Sequence, residues 1–85
     1  MTQDQLKAFA QMILENALGM APARKDIVLL EGSEDEEGPT YLLFRIGQIK
    51  AINYRIHRTN FIYGLEIQNT INDEDIFVNY QEVRP

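Results

Sequence analysis

The sequence contains no cysteine and no long apolar run. Without cysteine it can form neither disulfide bonds nor thiolate metal sites, which fits a reducing compartment. Its apolar runs are only a few residues long, too short to cross a membrane. The N-terminus carries Asp4 before any basic residue and has no long apolar core, unlike a secretory signal. We therefore expect a cytoplasmic protein that does not enter a membrane.

Residues suited to catalysis are also scarce. His57 is the one histidine, and a metal site needs three or four converging ligands, of which no other lies at ligand spacing. No glycine-rich phosphate loop, nucleophile elbow or zinc-binding helix motif is present. The acidic runs at 34–37 and 73–75 lack the alternating spacing of a calcium loop, so solvated loops are the better interpretation. We expect no catalytic residue, no metal, no cofactor and no enzyme activity.

Charge is unevenly distributed along the chain. The net charge is −5 over 85 residues, which argues weakly against nucleic-acid binding because phosphate contacts need Lys and Arg. Between Thr40 and Leu65, however, there is no acidic residue, and several basic residues lie there. With 45% hydrophobic residues, the length suits one small folded domain over 1–85. We expect that domain to carry a basic ribbon and acidic loops.

An amphipathic helix is predicted near the N-terminus. Thr2 and Gln5 fit a capping box, in which the side chain of each satisfies a backbone N–H of the other. Apolar residues follow at helical spacing, and Gly19 can adopt the left-handed conformation that ends a helix. We predict a helix over 3–18 that packs an apolar face on a sheet. That face comprises Leu6, Phe9, Ala10, Ile13, Ala17 and Met20.

The rest of the chain, 26–85, is predicted to be β-rich. In Thr40–Gln68 apolar and polar residues alternate, but the parity of the apolar positions changes after Gly47. Because strands place alternate side chains on opposite faces, a change of parity needs a bend or a bulge, which glycine accommodates. We predict a long strand bent at Gly47, a hairpin connection at 57–60, and a returning strand over 61–67.

Shorter segments complete the β-rich part. The run 26–31 is apolar on both faces, and we place it centrally in the sheet or beneath the helix. The segment 32–39 holds two glycines, a proline and four consecutive acids, which predicts a solvated loop. Residues 69–75 are turn-like, and alternation over 76–80 predicts a last strand.

Residues 27–85 resemble the Src-homology-3-like small barrels of the KOW and Tudor type. The resemblance rests on short motifs at Gly47–Ile49, Ile52, Tyr63–Ile67, Ile76–Val78 and Glu82–Pro85. It implies a small barrel but no ligand, because the aromatic cage of methyl-lysine readers and the tyrosine pairs of proline-binding domains are missing. The predicted fold class is α+β: an N-terminal α-helix packed on a four- to five-stranded antiparallel meander, or on a small Src-homology-3-like barrel.

The basic ribbon is the best candidate for a binding surface. Arg45, Arg55 and His57 share one strand parity and Lys50 has the other, and aromatic residues lie close by. Such a surface suits single-stranded nucleic acid or an acidic protein segment. Alternatively, the basic residues form a solvated face while the aromatics point into the core, which is the commoner arrangement. The candidate residues are Arg45, Lys50, Tyr54, Arg55, His57, Arg58 and Tyr63.

Three functions remain open. The first is a non-enzymatic protein-interaction module, a small accessory, regulatory or inhibitor protein, for which a phage or mobile-element origin is one hypothesis. Its partner would be another protein or a second copy, since a long ribbon exposes an edge for pairing. The second is single-stranded nucleic-acid binding through the 45–58 ribbon. The third is an acidic mimic of nucleic acid that occupies a partner's basic groove.

Overall fold

In the part of the chain that the structure describes, one α-helix and five β-strands follow one another in sequence order. The computed structural model describes residues 1–48, 51–59, 62–71 and 74–83, and the side chains of these only as far as residue 68. The elements are α1 (Gln3–Leu18), a short 3-10 helix (Arg24–Asp26), β1 (Ile27–Asp35), β2 (Gly38–Ile46), β3 (Ile52–Thr59), β4 (Ile62–Ile71) and β5 (Glu74–Val83).

The strands form one antiparallel meander in the order β1-β2-β3-β4-β5. The predicted α+β class is therefore confirmed. The closed barrel is wrong, because β1 and β5 lie at opposite edges of an open sheet in the part of the chain that the structure describes. Helix α1 lies next to both edge strands. It therefore covers one side of the sheet and encloses the core there. In a closed barrel the strands themselves enclose the core.

The helix has the predicted ends because its caps form as expected. Thr2 Oγ1 accepts the N–H of Gln5 at 3.1 Å, and Gln5 Oε1 accepts the N–H of Thr2 at 2.8 Å. Gly19 adopts a left-handed conformation with φ of 67° and donates its N–H to the carbonyl of Glu15. The reciprocal capping box stabilises the N-terminus and the left-handed glycine stabilises the C-terminus, and both are formed by residues next to the helix.

The core lies between α1 and the face of the sheet that it covers, which we call the inner face. Phe44 is fully buried and stacks on Tyr54 with ring centroids 5.4 Å apart. Phe9 meets Tyr63 edge to face at 5.0 Å, so the aromatic residues tie the helix to the sheet. Among the described side chains, the buried apolar residues are Ala10, Ile13, Leu14, Ile27, Leu42, Phe44, Tyr54, Ile56 and Leu65.

The predicted long bent strand is in fact two strands. Gly47 has φ of 65° and begins a turn after β2, so it ends a strand and does not bend one. The hairpin connection predicted at 57–60 starts too early, since β3 continues to Thr59 and His57 lies within it. The predicted return of the chain as an antiparallel strand is confirmed, because β4 pairs with β3. A change of parity in the apolar positions can indicate either a bulge within a strand or the end of that strand. The local pattern does not distinguish the two.

The acidic segment predicted as a loop folds into a β-hairpin. β1 runs through to Asp35, and only Glu36 and Glu37 separate it from β2. The N–H of Glu37 donates to Asp35 Oδ1 at 2.8 Å, and Gly38 supplies the positive φ of 122° that the turn needs. β1 is an edge strand that contacts the helix, so of the two positions expected for 26–31 the central one is wrong.

Candidate binding surfaces

Strands β3 and β4 divide the candidate residues of the basic ribbon between the two faces of the sheet. Tyr54 and Tyr63 lie on the inner face and pack on Phe44 and Phe9 respectively. The face that α1 does not cover, which we call the outer face, carries the residues in register with one another at Leu43↔Arg55↔Glu66 and Tyr41↔His57. The structure thus shows the alternative arrangement, with the aromatic rings in the core.

A carboxylate that the candidate set lacks organises the outer face. Glu66 Oε2 accepts a hydrogen bond from Arg55 at 2.6 Å, and Glu66 Oε1 lies 3.0 Å from His57 Nε2. The Glu66 side chain is only 14% exposed. The pKa of the neighbouring Tyr41 hydroxyl is raised, chiefly by burial and secondly by the negative charge of Glu31. Arg55 and His57 are therefore parts of a polar network whose charge Glu66 offsets.

Sequence reasoning misses Glu66 because it lies just beyond the stretch without acids. The signal that reveals it is cross-strand register, which places β4 antiparallel to β3 and Glu66 opposite Arg55. Opposite charges at directly facing positions are a common stabilising pair in antiparallel sheets.

Arg58 has the parity of the inner face but forms an ion pair at the tip of the β1–β2 hairpin. Its side chain is 13% exposed and donates to Asp35 Oδ2. The N–H of Glu37 lowers the pKa of the Asp35 carboxyl, desolvation partly opposes this, and Arg58 lowers the pKa further. A charged residue is tolerated at this inner position because its partner is held in place by the turn.

The remaining basic candidates add little to a continuous surface. Arg45 is half-buried on the outer face and donates from Nε to the carbonyl of Gly47 at 3.3 Å. Lys50 lies outside the described residues. Across the ribbon, two of the three described arginines are engaged by carboxylates. The positive charge available to an anionic ligand is correspondingly smaller than the sequence indicates.

A groove, which we call the α1–β1 groove, opens between the first turns of α1 and strand β1. Its volume is about 300 Å³, and its apolar lining comes from Leu6, Leu29, Leu30 and Leu42. The groove exists because Gly32 stands opposite Leu42 in the β1–β2 register and has no side chain to fill the space. A Cβ added at Gly32 would lie 3.4 Å from Leu42 Cδ1.

The edge of the groove carries exposed polar side chains and an exposed leucine. Gln3, Glu31 and Glu34 line it, and among the lining residues the structure describes none is Lys, Arg or His. Leu30 is the extra residue of a β-bulge between Leu29 and Glu31, and it is 40% exposed. Apolar lining with acidic groups at the margin is suited to an amphipathic ligand.

The sequence contains one indication of this groove, the glycine that lies within β1 after the apolar run 27–30. A glycine within a strand often marks a bulge or a close approach by another group. The local pattern nevertheless favours a loop for this segment, because four consecutive acids follow the glycine.

A smaller apolar depression lies at the other end of the sheet. It has a volume of about 180 Å³ and is lined by Met20, Ile46, Ile52 and Tyr54. Of these four described side chains, only Tyr54 carries a hydroxyl, and none is charged. The depression therefore offers less to orient a ligand than the α1–β1 groove does.

Comparison with family models, with curated proteins and with solved structures found no match to this chain. The resemblance of the short motifs to those of KOW and Tudor barrels is therefore not tested by these comparisons and stays a prediction. No cluster of three or more metal-binding side chains occurs among the described residues. None of the helices found in those residues is long and apolar enough to cross a membrane.

Proposed function

We propose that this chain is a non-enzymatic protein-interaction module that holds a side chain of its partner in the α1–β1 groove. One observation carries the proposal: the groove is apolar inside, polar at its margin, and bordered by the exposed Leu30. Its volume of about 300 Å³ is at the lower end of the range for ligand sites, roughly 300–1,000 Å³. A space of this size suits one or two large side chains of a protein segment.

The edge strand beside the groove favours recognition through side chains. β1 carries register shifts at Leu29/Glu31 and at Ser33/Glu34, and acidic residues follow. Bulges and charges on an edge strand oppose the addition of a long new strand. An unbroken ladder with a partner is consequently disfavoured, and an anchor side chain in the groove is the geometry that remains.

Nucleic-acid binding through the 45–58 ribbon is the weaker proposal. Glu66 and Asp35 already pair with Arg55 and Arg58, and Tyr54 is buried, so it has no face for base stacking. The acidic-mimic proposal relies on the acidic residues of the β1–β2 hairpin, some of which also line the α1–β1 groove. It differs by requiring a basic groove on the partner, whereas the α1–β1 groove belongs to this chain.

The test is site-specific photo-cross-linking in the source cell. A photoreactive residue replaces Leu30, beside the groove, and in a second protein it replaces Met12, an equally exposed apolar residue on α1. We expect one protein to be cross-linked from position 30 and not from position 12. Equal adducts from both positions, or none from position 30, would contradict the proposal.

A groove-filling variant provides the second arm of the experiment. Gly32→Leu places a side chain in the groove and should abolish the adduct at position 30. Val28→Leu enlarges a residue of the same strand whose partner in register is Arg45, on the outer face, so this control should leave the adduct unchanged. Circular dichroism and urea unfolding establish that both variants are folded.

A further inference from the structure

We infer that the α1–β1 groove is occupied by Leu30 of a second copy of this chain. The two copies are related by a two-fold axis, and each inserts its Leu30 into the groove of the other. The inference rests on the proposed function and names the partner that the groove holds.

The patch around the groove carries both parts of a self-complementary contact. Leu6, Leu29 and Leu42 line an apolar space of about 300 Å³. Leu30 lies at the border of this space and is 40% exposed. A two-fold interface brings the same patch of both copies together, so a projecting residue must meet a recess within that patch. A groove for a different protein needs only the recess, and the projecting leucine beside it therefore favours a second copy.

The backbone of β1 explains why this leucine projects. Leu30 is the extra residue of the β-bulge between Leu29 and Glu31. A bulge interrupts the alternation of side chains between the two faces and often redirects one of them. The other exposed large apolar side chains among those that the structure describes are Met1 and Met12, and neither lines the groove. Leu30 is thus the exposed apolar residue that lies next to the recess.

The charges near the groove do not oppose an apolar occupant. The carboxylate of Glu34 is paired with the amino group of Met1, at 2.7 Å and 2.9 Å. Glu31 is in register with Leu43 on the outer face, where its charge is the second cause, after burial, of the raised pKa of the Tyr41 hydroxyl. An apolar side chain that enters the groove therefore leaves both carboxylates in their present surroundings. It avoids the cost of burying an unpaired charge.

The net charge determines how the dimer responds to salt. Each copy carries a charge of −5, so two copies repel each other at long range. Salt screens this repulsion, with a Debye length of about 10 Å at roughly 0.1 M, whereas the apolar contact needs no opposite charges. Self-association should therefore strengthen as the salt concentration rises from low to physiological values. An interface held by ion pairs would weaken over the same range.

The experiment measures the mass of the purified protein by sedimentation equilibrium from micromolar to millimolar concentration. We expect a monomer–dimer equilibrium whose dissociation constant Leu30→Ser raises at least about tenfold, because each dimer loses two buried leucines. Gly32→Leu fills the groove and should have an effect of similar size. Met12→Ser removes an equally exposed apolar residue outside the groove and should change the dissociation constant less than about twofold.

A mixture of the two variants makes the test specific to this contact. The Leu30→Ser protein keeps an open groove, and the Gly32→Leu protein keeps the projecting leucine. Together they can form one of the two contacts, so the mixture should associate more tightly than either variant alone. Circular dichroism establishes that both are folded, and Gly32→Val replaces Gly32→Leu if the latter does not fold. A mixture of folded variants that associates no more tightly than its components would overturn the inference.

The outcomes also distinguish this inference from the proposed function. The photoreactive residue at position 30 should yield a cross-linked dimer of this chain, attached at Leu6 or Leu42. A monomer at every concentration, or a dimer that neither Leu30→Ser nor Gly32→Leu weakens, would overturn the inference. A cross-link from position 30 to a different protein alone would overturn it too, and would leave the proposed function standing. The absence of both self-association and a cross-link from position 30 would overturn both.

Discussion

The two faces of strand β3 show how one stretch of sequence serves two purposes. Tyr54 and Ile56 point to the inner face, where α1 excludes water and the side chains pack in the core. Arg55 and His57, which alternate with them, point to the outer face and share the carboxylate of Glu66. The inner residues gain stability from burial, and the outer residues from a charge-assisted network. Basic residues in a strand are therefore no sign of a binding surface until their cross-strand partners are known.

Substitutions on the inner face should lower the free energy of unfolding more than substitutions on the outer face. Phe44→Ala removes a fully buried ring that stacks on Tyr54, and we expect it to lower the free energy of unfolding by about 4 kcal/mol. Urea denaturation at pH 7 measures the change, and Met12→Ala, on the exposed side of α1, should stay within about 0.5 kcal/mol. If Phe44→Ala does not fold, Phe44→Leu gives a measurable part of the same loss. A change as small as that of Met12→Ala would show that the ring is not in the core.

The outer face should contribute less, through Glu66. Glu66→Gln keeps the shape of the side chain but removes the charge shared by Arg55 and His57. We expect a loss of about 1.5 kcal/mol, because both partners are partly exposed and solvent screens the interaction. Glu37→Gln, at the exposed turn, is the matched control and should have almost no effect. Equal effects in urea denaturation would mean that the network adds no stability.

At alkaline pH, the tyrosines of the two faces should contribute differently to the loss of stability. Burial raises the pKa of the Tyr54 hydroxyl, so the folded state favours its neutral form. The stability from this group is complete below the unfolded pKa, about 10, and is lost as the pH rises through the folded-state value. Tyr54→Phe should therefore lose less stability than the parent between pH 9 and pH 11. Tyr41→Phe should act in the same direction but more weakly, because Tyr41 is only half-buried on the outer face. The reverse order would show that burial is not the dominant cause.

The smallest effect is expected at the hairpin tip, where the inner face ends. The pKa of Asp35 is lowered in the folded state, so its contribution is present at neutral pH. It is lost as the pH falls from the unfolded value of about 3.9 through the folded-state pKa. Asp35→Asn should slightly flatten the fall of stability between pH 5 and pH 2, as followed by circular dichroism. A steeper acid transition in the variant would contradict the sign of this linkage.

Charge reversal of Arg55 or Arg58, the direct way to test nucleic-acid binding by the ribbon, carries a structural cost. Replacing Arg55 with Glu places a second carboxylate beside Glu66, and replacing Arg58 with Glu places one beside Asp35. Like charges at facing positions destabilise a sheet, so a loss of binding in these variants would reflect altered folding. Arg45, which has no carboxylate partner among the described residues, is the better position for such a test.

The sequence by itself determined the features that depend on neighbouring residues. Helix α1 has its predicted ends because Thr2, Gln5 and Gly19 act within a few residues of the helix they cap. The inward and outward sides of β3 follow from alternation, which is also local. The last strand is predictable for the same reason, although the structure extends it to Glu74–Val83.

Only the tertiary structure decided the features that join distant residues. Glu66 meets Arg55 and Asp35 meets Arg58 through strand register and hairpin position, which the local pattern does not specify. In the described residues the sheet is open and α1 contacts both of its edge strands, an arrangement of distant elements that periodicity cannot specify. The α1–β1 groove likewise depends on where the first turns of α1 lie relative to β1. Packing between elements sets that position, since each apolar face must find another to exclude water.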